Sequence, residues 1–240
     1  MGAAFAETLA ARGLNLVLLA DGRPALEATA ERLAAAHGVE VRPVVCDLAE
    51  ASFAARLAHS TSDIEVGLGV YNAAHSFIGR LFDRSIDECL RVIDVNCAGP
   101  LRFAHAIVPP MLARGRGGLV LMSSLAGAQG TPRLSAYAAS KAFNIVLGES
   151  LWAELGKDGV DVVVSCPGAI RTPGYRKAAR AEAPGTLDAM LVAERTLDAL
   201  GRGPRYVPGA VNKLAAFMLG RLLPRPLAIK LMAKSTERLS

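Results

Sequence analysis

Four polar side chains in this sequence stand at spacings that could move a proton to or from an oxygen atom. Tyr137 and Lys141 are four residues apart. On a helix that spacing puts both on one face. An ammonium beside a phenol favours the phenolate and draws the tyrosine down from its ordinary value of about 10. A phenol tuned in this way exchanges a proton near neutral pH. Ser124 lies 13 residues before Tyr137, and its hydroxyl can hydrogen-bond a carbonyl oxygen. Asn96 lies earlier, in a long helical stretch, and can anchor the lysine through its amide or a water. A Tyr-x3-Lys pair alone occurs on many solvated helix faces. Its weight here comes from its setting, the string SSLAGAQGTPRLSAYAASKAFN, which follows an apolar run and opens an Ala-rich helix.

Those residues need a scaffold, and the hydrophobic pattern supplies one. Apolar, β-branched runs at 14–20, 39–46, 64–71, 118–123 and 160–166 alternate with helical segments at 3–12, 24–36, 49–58, 86–113 and 135–156. Pro24 opens the second helix, and Gly13, Gly38 and Gly115 stop the first, second and fourth. Strands that are apolar throughout, separated by helices, predict a parallel sheet covered on both faces. The expected fold is therefore a three-layer, doubly wound, Rossmann-like α/β domain over residues 1–240. Ser124 would end a strand. The Pro/Gly-rich stretch 167–185 would follow another, at the sheet edge where such folds bind ligands.

The composition agrees. Of 240 residues, 52% are hydrophobic and 20% charged, which excludes a disordered chain. The net charge of +5 is unevenly placed. Residues 205–240 hold seven basic side chains against Glu237 alone, leaving +6 there and −1 over residues 1–204. The high isoelectric point thus belongs to a tail, and no nucleic-acid-binding motif accompanies it. Cys46, Cys89, Cys97 and Cys166 form no CxxC pair and lack zinc-ligand spacing. They predict reduced thiols, no metal site and a cytoplasmic protein. No signal-peptide pattern and no run of 18 apolar residues occurs.

Taken together, Asn96, Ser124, Tyr137 and Lys141 resemble the catalytic set of the short-chain dehydrogenase/reductase family. The resemblance extends over roughly residues 1–200. Asp47-Leu48 is similar to the acidic segment that contacts adenine. Asn72-Ala73-Ala74 is similar to the family's Asn-Ala-Gly, with Ala74 in place of the glycine. Pro167-Gly168-Ala169-Ile170-Arg171-Thr172 is similar to the segment that binds the nicotinamide carboxamide. Gly2 resembles the last glycine of the glycine-rich turn. The first strand and the two earlier glycines of that pattern are not in the sequence. The resemblance implies that neighbouring strands face each other across a slot one strand wide, and that the pyrophosphate lacks its tight turn. It also implies a hydride transfer between a nicotinamide cofactor and an alcohol or ketone. Tyr137 would exchange the proton, Lys141 would lower its pKa and bind the ribose, Ser124 would hold the oxygen, and Asn96 would support the relay.

Cofactor choice turns on Asp21, which can accept bonds from both ribose hydroxyls and repel a 2′-phosphate, favouring NAD over NADP. Arg23 could instead pair with that phosphate, and Asp21-Gly22 is also a simple turn signal. Residues 211–236 are apolar and basic. They read either as a membrane-surface or acyl-substrate contact or as a C-terminal helix packed on its own or a partner subunit. The string VPGAVNK followed by LLPR resembles the hydroxysteroid and 3-ketoacyl reductase branch, which implies a hydrophobic substrate. The family pairs long helices into oligomers, and residues 84–113 and 135–157 are candidates for that contact. Two other readings are a non-catalytic nucleotide-sensing or scaffold homologue and a peripheral membrane protein acting through its tail.

Overall fold

A computed structural model describes residues 1–178 and 181–237. Arg238 of the basic tail and Ala179 and Arg180 of the 167–185 stretch lie outside the described residues. The first half of the chain runs α1 (Gly2–Ala11), β1 (Leu16–Ala20), α2 (Arg23–His37), β2 (Val41–Val45), α3 (Phe53–Ser60) and β3 (Leu68–Tyr71). Then come α4 (Ile86–Ile93), α5 (Gly99–Arg114), β4 (Gly117–Met122), α6 (Ser135–Leu155) and β5 (Val160–Ser165). The remainder is shorter: β6 (Ile170–Arg171), α7 (Pro173–Ala178), β7 (Leu187–Asp188), α8 (Ala189–Asp198), β8 (Arg205–Tyr206), α9 (Ala210–Phe217) and α10 (Arg225–Thr236). Pro24 lies in the first turn of α2, and Gly38 ends that helix at φ 67°, a left-handed value that side chains with a Cβ resist.

All strand pairs are parallel, as the apolar runs predicted. The strands form one sheet in the order β3-β4-β5-β8 and a separate pair, β1-β2, with β6-β7 as a small third ladder. β4 and β5 carry the centre of the core. Leu119, Val120, Val162, Val163 and Val164 are completely shielded from solvent. β1 and β2 do not match the expectation of strands buried throughout, because most of their residues are only partly covered. The reason is lateral. β1 bonds to β2 alone and β3 to β4 alone, so no ladder joins β1 to β3.

Helix α1 joins the two sheets by packing instead of hydrogen bonding. Its Ala4 and Phe5 sit in a cluster with Val120, Met122, Val163 and Leu197. Its Ala6 and Ala10 sit in another with Leu16, Leu33 and Val39. The helix expected at 86–113 is interrupted. α4 passes into a π-helical turn at Asp94–Ala98 before α5 begins. Among the described residues no helix is long and apolar enough to cross a membrane. All four cysteines are free thiols, and burial pushes Cys46, Cys97 and Cys166 above the ordinary thiol range.

Candidate active site

The candidate residues collect at one edge. Asp21 follows β1, Asp47 follows β2, Asn72 follows β3, Ser124 follows β4 and Pro167 follows β5. Because the strands are parallel, these are all carboxyl ends, the side on which doubly wound sheets bind ligands.

Two serines fix the segment after β4. Ser123 donates from Oγ to the Lys141 carbonyl oxygen at 2.7 Å, and Lys141 returns a bond from Nζ to the Met122 carbonyl oxygen at 2.9 Å. Ser124 is extended and caps the 3₁₀ turn Leu125–Ala128, its Oγ accepting from the Ala126 N–H at 3.2 Å. This turn lies flat against α6. A Cβ on Gly127 would stand 2.6 Å from the Lys141 carbonyl carbon and 2.7 Å from the Ala142 nitrogen. Only glycine allows that approach, and the approach brings Ser124 within reach of α6. Tyr137 occupies the first turn of α6 and Lys141 the next.

Electrostatics at this pair differ from the sequence expectation. Burial pushes the Tyr137 phenol above its ordinary value, and hydrogen bonding with Ser124 pulls it partly back. Lys141 does not provide the expected downward pull. It is itself buried, which pushes its ammonium down to about 8. Its Nζ is directed at the Met122 carbonyl and lies 5.5 Å from the centre of the Tyr137 ring. The lysine therefore lies over the Tyr137 ring and bonds the backbone of β4.

The Asn96 amide bonds elsewhere than on the lysine. The residue is fully buried in the π-helical turn and makes no bond to Lys141. Its Oδ1 accepts from the His75 N–H at 2.8 Å, and its Nδ2 donates to the His75 carbonyl at 2.9 Å and to Ser140 Oγ at 2.9 Å. Its own carbonyl accepts from Asn144 Nδ2 at 3.1 Å. Asn96 thus ties the loop after β3 to α6, one residue before the lysine.

The cofactor candidates occupy the rest of the edge. Gly2 opens α1, and a Cβ there would stand 3.2 Å from Asn72 Nδ2. Leu48 and Ala73 pack on the margin of the main core. Asp47 is anchored twice: Oδ1 accepts from the Ala49 N–H and Oδ2 from Arg91, both at 2.9 Å. Those bonds hold its carboxyl below the ordinary range. The carboxylate of Asp21 is exposed, whereas Arg23 pairs with Glu27 at 3.0 Å. The Pro167 carbonyl accepts from the Leu125 N–H at 3.0 Å, which joins the ends of β4 and β5. Ile170 pairs with Leu187, and Thr172 Oγ1 accepts from the Tyr175 N–H at 3.2 Å at the start of α7. Asn212 closes the group from below. Its amide nitrogen donates to the Gly185 and Pro208 carbonyls at 3.1 and 3.0 Å. Its Oδ1 lies 2.5 Å from where a Cβ on Gly168 would be.

Sequence reasoning missed Ser123, Gly127, Ser140, Asn144 and Asn212. The serine doublet at 123–124 was a usable signal, since one hydroxyl can face the lysine backbone while the next faces the cleft. Among the described residues no three His, Cys, Asp or Glu side chains are placed to hold a metal ion.

The family model for short chain dehydrogenases matches residues 1–183. The chain belongs to the short-chain dehydrogenase family. It is 33% identical over 221 residues to the oxidoreductase UcpA of Escherichia coli strain K12, covering 91% of this chain and 82% of that protein. A solved 7β-hydroxysteroid dehydrogenase superposes with a TM-score of 0.89 at 25% identity, covering 95% of this chain and 91% of that one. A short-chain dehydrogenase from Sphingobium yanoikuyae in complex with NADPH gives a TM-score of 0.80 at 28% identity, covering 87% and 84%. This short-chain dehydrogenase is accordingly a nicotinamide-dependent oxidoreductase of alcohols and ketones.

Proposed function

We propose that Tyr137 exchanges the proton at the substrate oxygen, with Ser124 holding that oxygen and Lys141 and Asn96 positioning the two. The observation that carries this reading is the close packing of the Gly127 turn on α6, which sets Ser124 against Tyr137. Tyr137 Oη gives its proton to a carbonyl oxygen in reduction and accepts one from an alcohol in oxidation. Ser124 Oγ donates to the same oxygen and orients it. Lys141 places a buried positive charge against the ring, and a ribose hydroxyl is its proposed second partner. This convergence favours catalysis over the scaffold reading.

The residues present fit a nicotinamide dinucleotide. Gly2 leaves room that a side chain would take from Asn72. Asp21 offers a free carboxylate for the adenosine ribose, and Asp47 and Leu48 flank an adenine position. Asn72 and Ala73 border the centre. Pro167, Gly168, Ile170 and Thr172 would hold the carboxamide end, with Tyr137 and Lys141 at the nicotinamide ribose. When bound, the cofactor supplies or takes up hydride. NAD is the expected partner, because Asp21 has no ion-pair partner among the described residues and Arg23, the candidate 2′-phosphate ligand, is paired with Glu27. Asp21→Ser should therefore cut kcat/KM with NAD by roughly tenfold and raise the relative use of NADP. Nicotinamide absorbance with both cofactors measures this, and an unchanged cofactor ratio would remove Asp21 from the site.

The substrate is proposed to be a hydrophobic alcohol or ketone, in line with the 7β-hydroxysteroid dehydrogenase likeness. An absorbance screen over alcohols and ketones tests this, and turnover confined to small polar substrates contradicts it. The free thiols support a reducing, cytoplasmic compartment. A homo-oligomer is proposed through α4 and α6, where Ile86, Leu90, Val146 and Trp152 remain exposed. Light scattering should then give at least twice the monomer mass, with Leu90→Glu/Val146→Glu reverting to one chain.

A further inference from the structure

The C-terminal helices carry a second exposed apolar surface, and its chemistry differs from that of α4 and α6. Val211, Leu214, Met218 and Leu222 form a stripe along α9 and the π-helical turn Met218–Leu222. Leu227 and Leu231 continue it on α10, four residues apart. Leu214 is 63% exposed and Leu222 56%. The opposite sides of these helices are buried through Asn212, Ala228 and Thr236. Each helix thus has one face committed to the protein and one apolar face turned outward.

Exposed basic side chains lie on the same two helices, Arg225 and Lys213 turning partly back to the Ala128 carbonyl and the Tyr206 ring. Lys213, Arg221, Arg225, Lys230 and Lys234 are exposed, and residues 205–236 contain no aspartate or glutamate. None of the five is paired with a carboxylate among the described residues. Arg205, at the foot of the surface, is the exception, facing Glu149 at 3.5 Å. An apolar strip bordered by unneutralised cations is complementary to a surface that is anionic outside and hydrocarbon within.

The surface is also fastened to the reactive loop. Arg225 donates to the Ala128 carbonyl at 2.8 Å, and Thr236 Oγ1 donates to the Pro132 carbonyl at 3.0 Å. Both acceptors lie between Ser124 and Tyr137. We propose that α9 and α10 dock this dehydrogenase on an anionic membrane surface and set the Ser124–Tyr137 loop beside the bilayer, where membrane-dissolved alcohols or ketones reach it. The choice of substrate rests on the oxidoreductase reading; the docking does not.

Flotation of the full chain with vesicles separates the two. The chain should float with phosphatidylcholine vesicles containing phosphatidylglycerol, stay behind with phosphatidylcholine alone, and detach as salt rises. Each basic residue near such a surface contributes roughly fivefold in partitioning. Lys230→Glu/Lys234→Glu should therefore weaken flotation more than tenfold, and Leu214→Ser/Leu231→Ser should also weaken it. Turnover of a water-soluble ketone should be unchanged in both variants, so failure of docking and failure of catalysis are read separately. Absence of flotation, equal flotation on neutral vesicles, or flotation indifferent to the charge reversals overturns the proposal. Loss of a dimer in Leu214→Ser/Leu231→Ser without any vesicle binding assigns the face to a second copy and overturns it too.

Discussion

Replacing Tyr137 with phenylalanine is expected to lower kcat by roughly 10²- to 10⁴-fold, the range for a positioned proton donor, while cofactor affinity stays within about twofold. The change removes one oxygen and keeps the ring. The ring holds its place in the first turn of α6, and the Lys141 ammonium 5.5 Å from its centre keeps its neighbour. The fold should therefore survive, and the loss should appear in the chemical step. Steady-state kinetics together with a fluorescence titration of the cofactor separate the two effects. A variant retaining more than a tenth of wild-type kcat would take the proton role away from Tyr137. Burial holds the phenol above its ordinary value in this geometry. The residue thus stands ready as an acid, and its deprotonation has to be drawn out by whatever binds against it.

Lys141 gives the second large effect, and it concerns stability as well as rate. Burial lowers its ammonium from 10.5 to about 8. The folded chain therefore releases this proton at a lower pH than the unfolded chain does. Between about pH 8 and 10.5 the unfolded state binds more protons, so this group's contribution to stability rises with pH across that window. Below about pH 8 the cost of the buried charge is felt in full, on the order of 3 kcal/mol. Lys141→Met removes that cost and leaves the Met122 carbonyl without its donor, which returns about 1–2 kcal/mol. At neutral pH the variant should be more stable than wild type by about 1–2 kcal/mol and much less active. At the alkaline end the advantage should disappear. Urea denaturation of both proteins across the window measures it. Stability curves that stay parallel would show that Lys141 titrates as an exposed lysine.

What the sequence made legible was mostly local. The strand at Gly117–Met122 and the helix at Ser135–Leu155 fall within a residue or two of expectation, because a β-branched run and an Ala-rich segment need no distant partner to declare themselves. Ser124, Tyr137 and Lys141 were visible for the same reason, since 18 residues of one strand-turn-helix unit contain all three. The missed features depend on distant neighbours. Asp47 is engaged by Arg91, 44 residues later. Lys141 loses its usual charge preference because β4 and the turn after it enclose it, and a spacing argument treats it as solvated. Asn96 was expected to reach the lysine through its amide or a water, and the amide instead bonds His75 and Ser140. The two-residue ladders β6-β7 and β5-β8 are too short to leave a pattern. The weaker burial of β1 and β2 follows from an unpaired edge, which no single strand's residues disclose.

The π-helical turn at Asp94–Ala98 has a consequence for how this helical region is wired. The amide four residues after Asn96 would belong to Pro100, which has no N–H, so this carbonyl has no donor along its own helix. The wide turn inserts a residue: the Gly99 N–H reaches back five positions to the Asp94 carbonyl, while the Asn96 carbonyl accepts from Asn144 on a different helix. The extra residue also offsets the helix rotation by about a quarter-turn. Ile86 and Leu90 can then look outward while Phe103 and Ile107 look inward along one nearly continuous rod. One inserted position thus acts as a swivel, letting a single stretch of chain serve an outer surface, a reaction edge and a hydrophobic interior in succession.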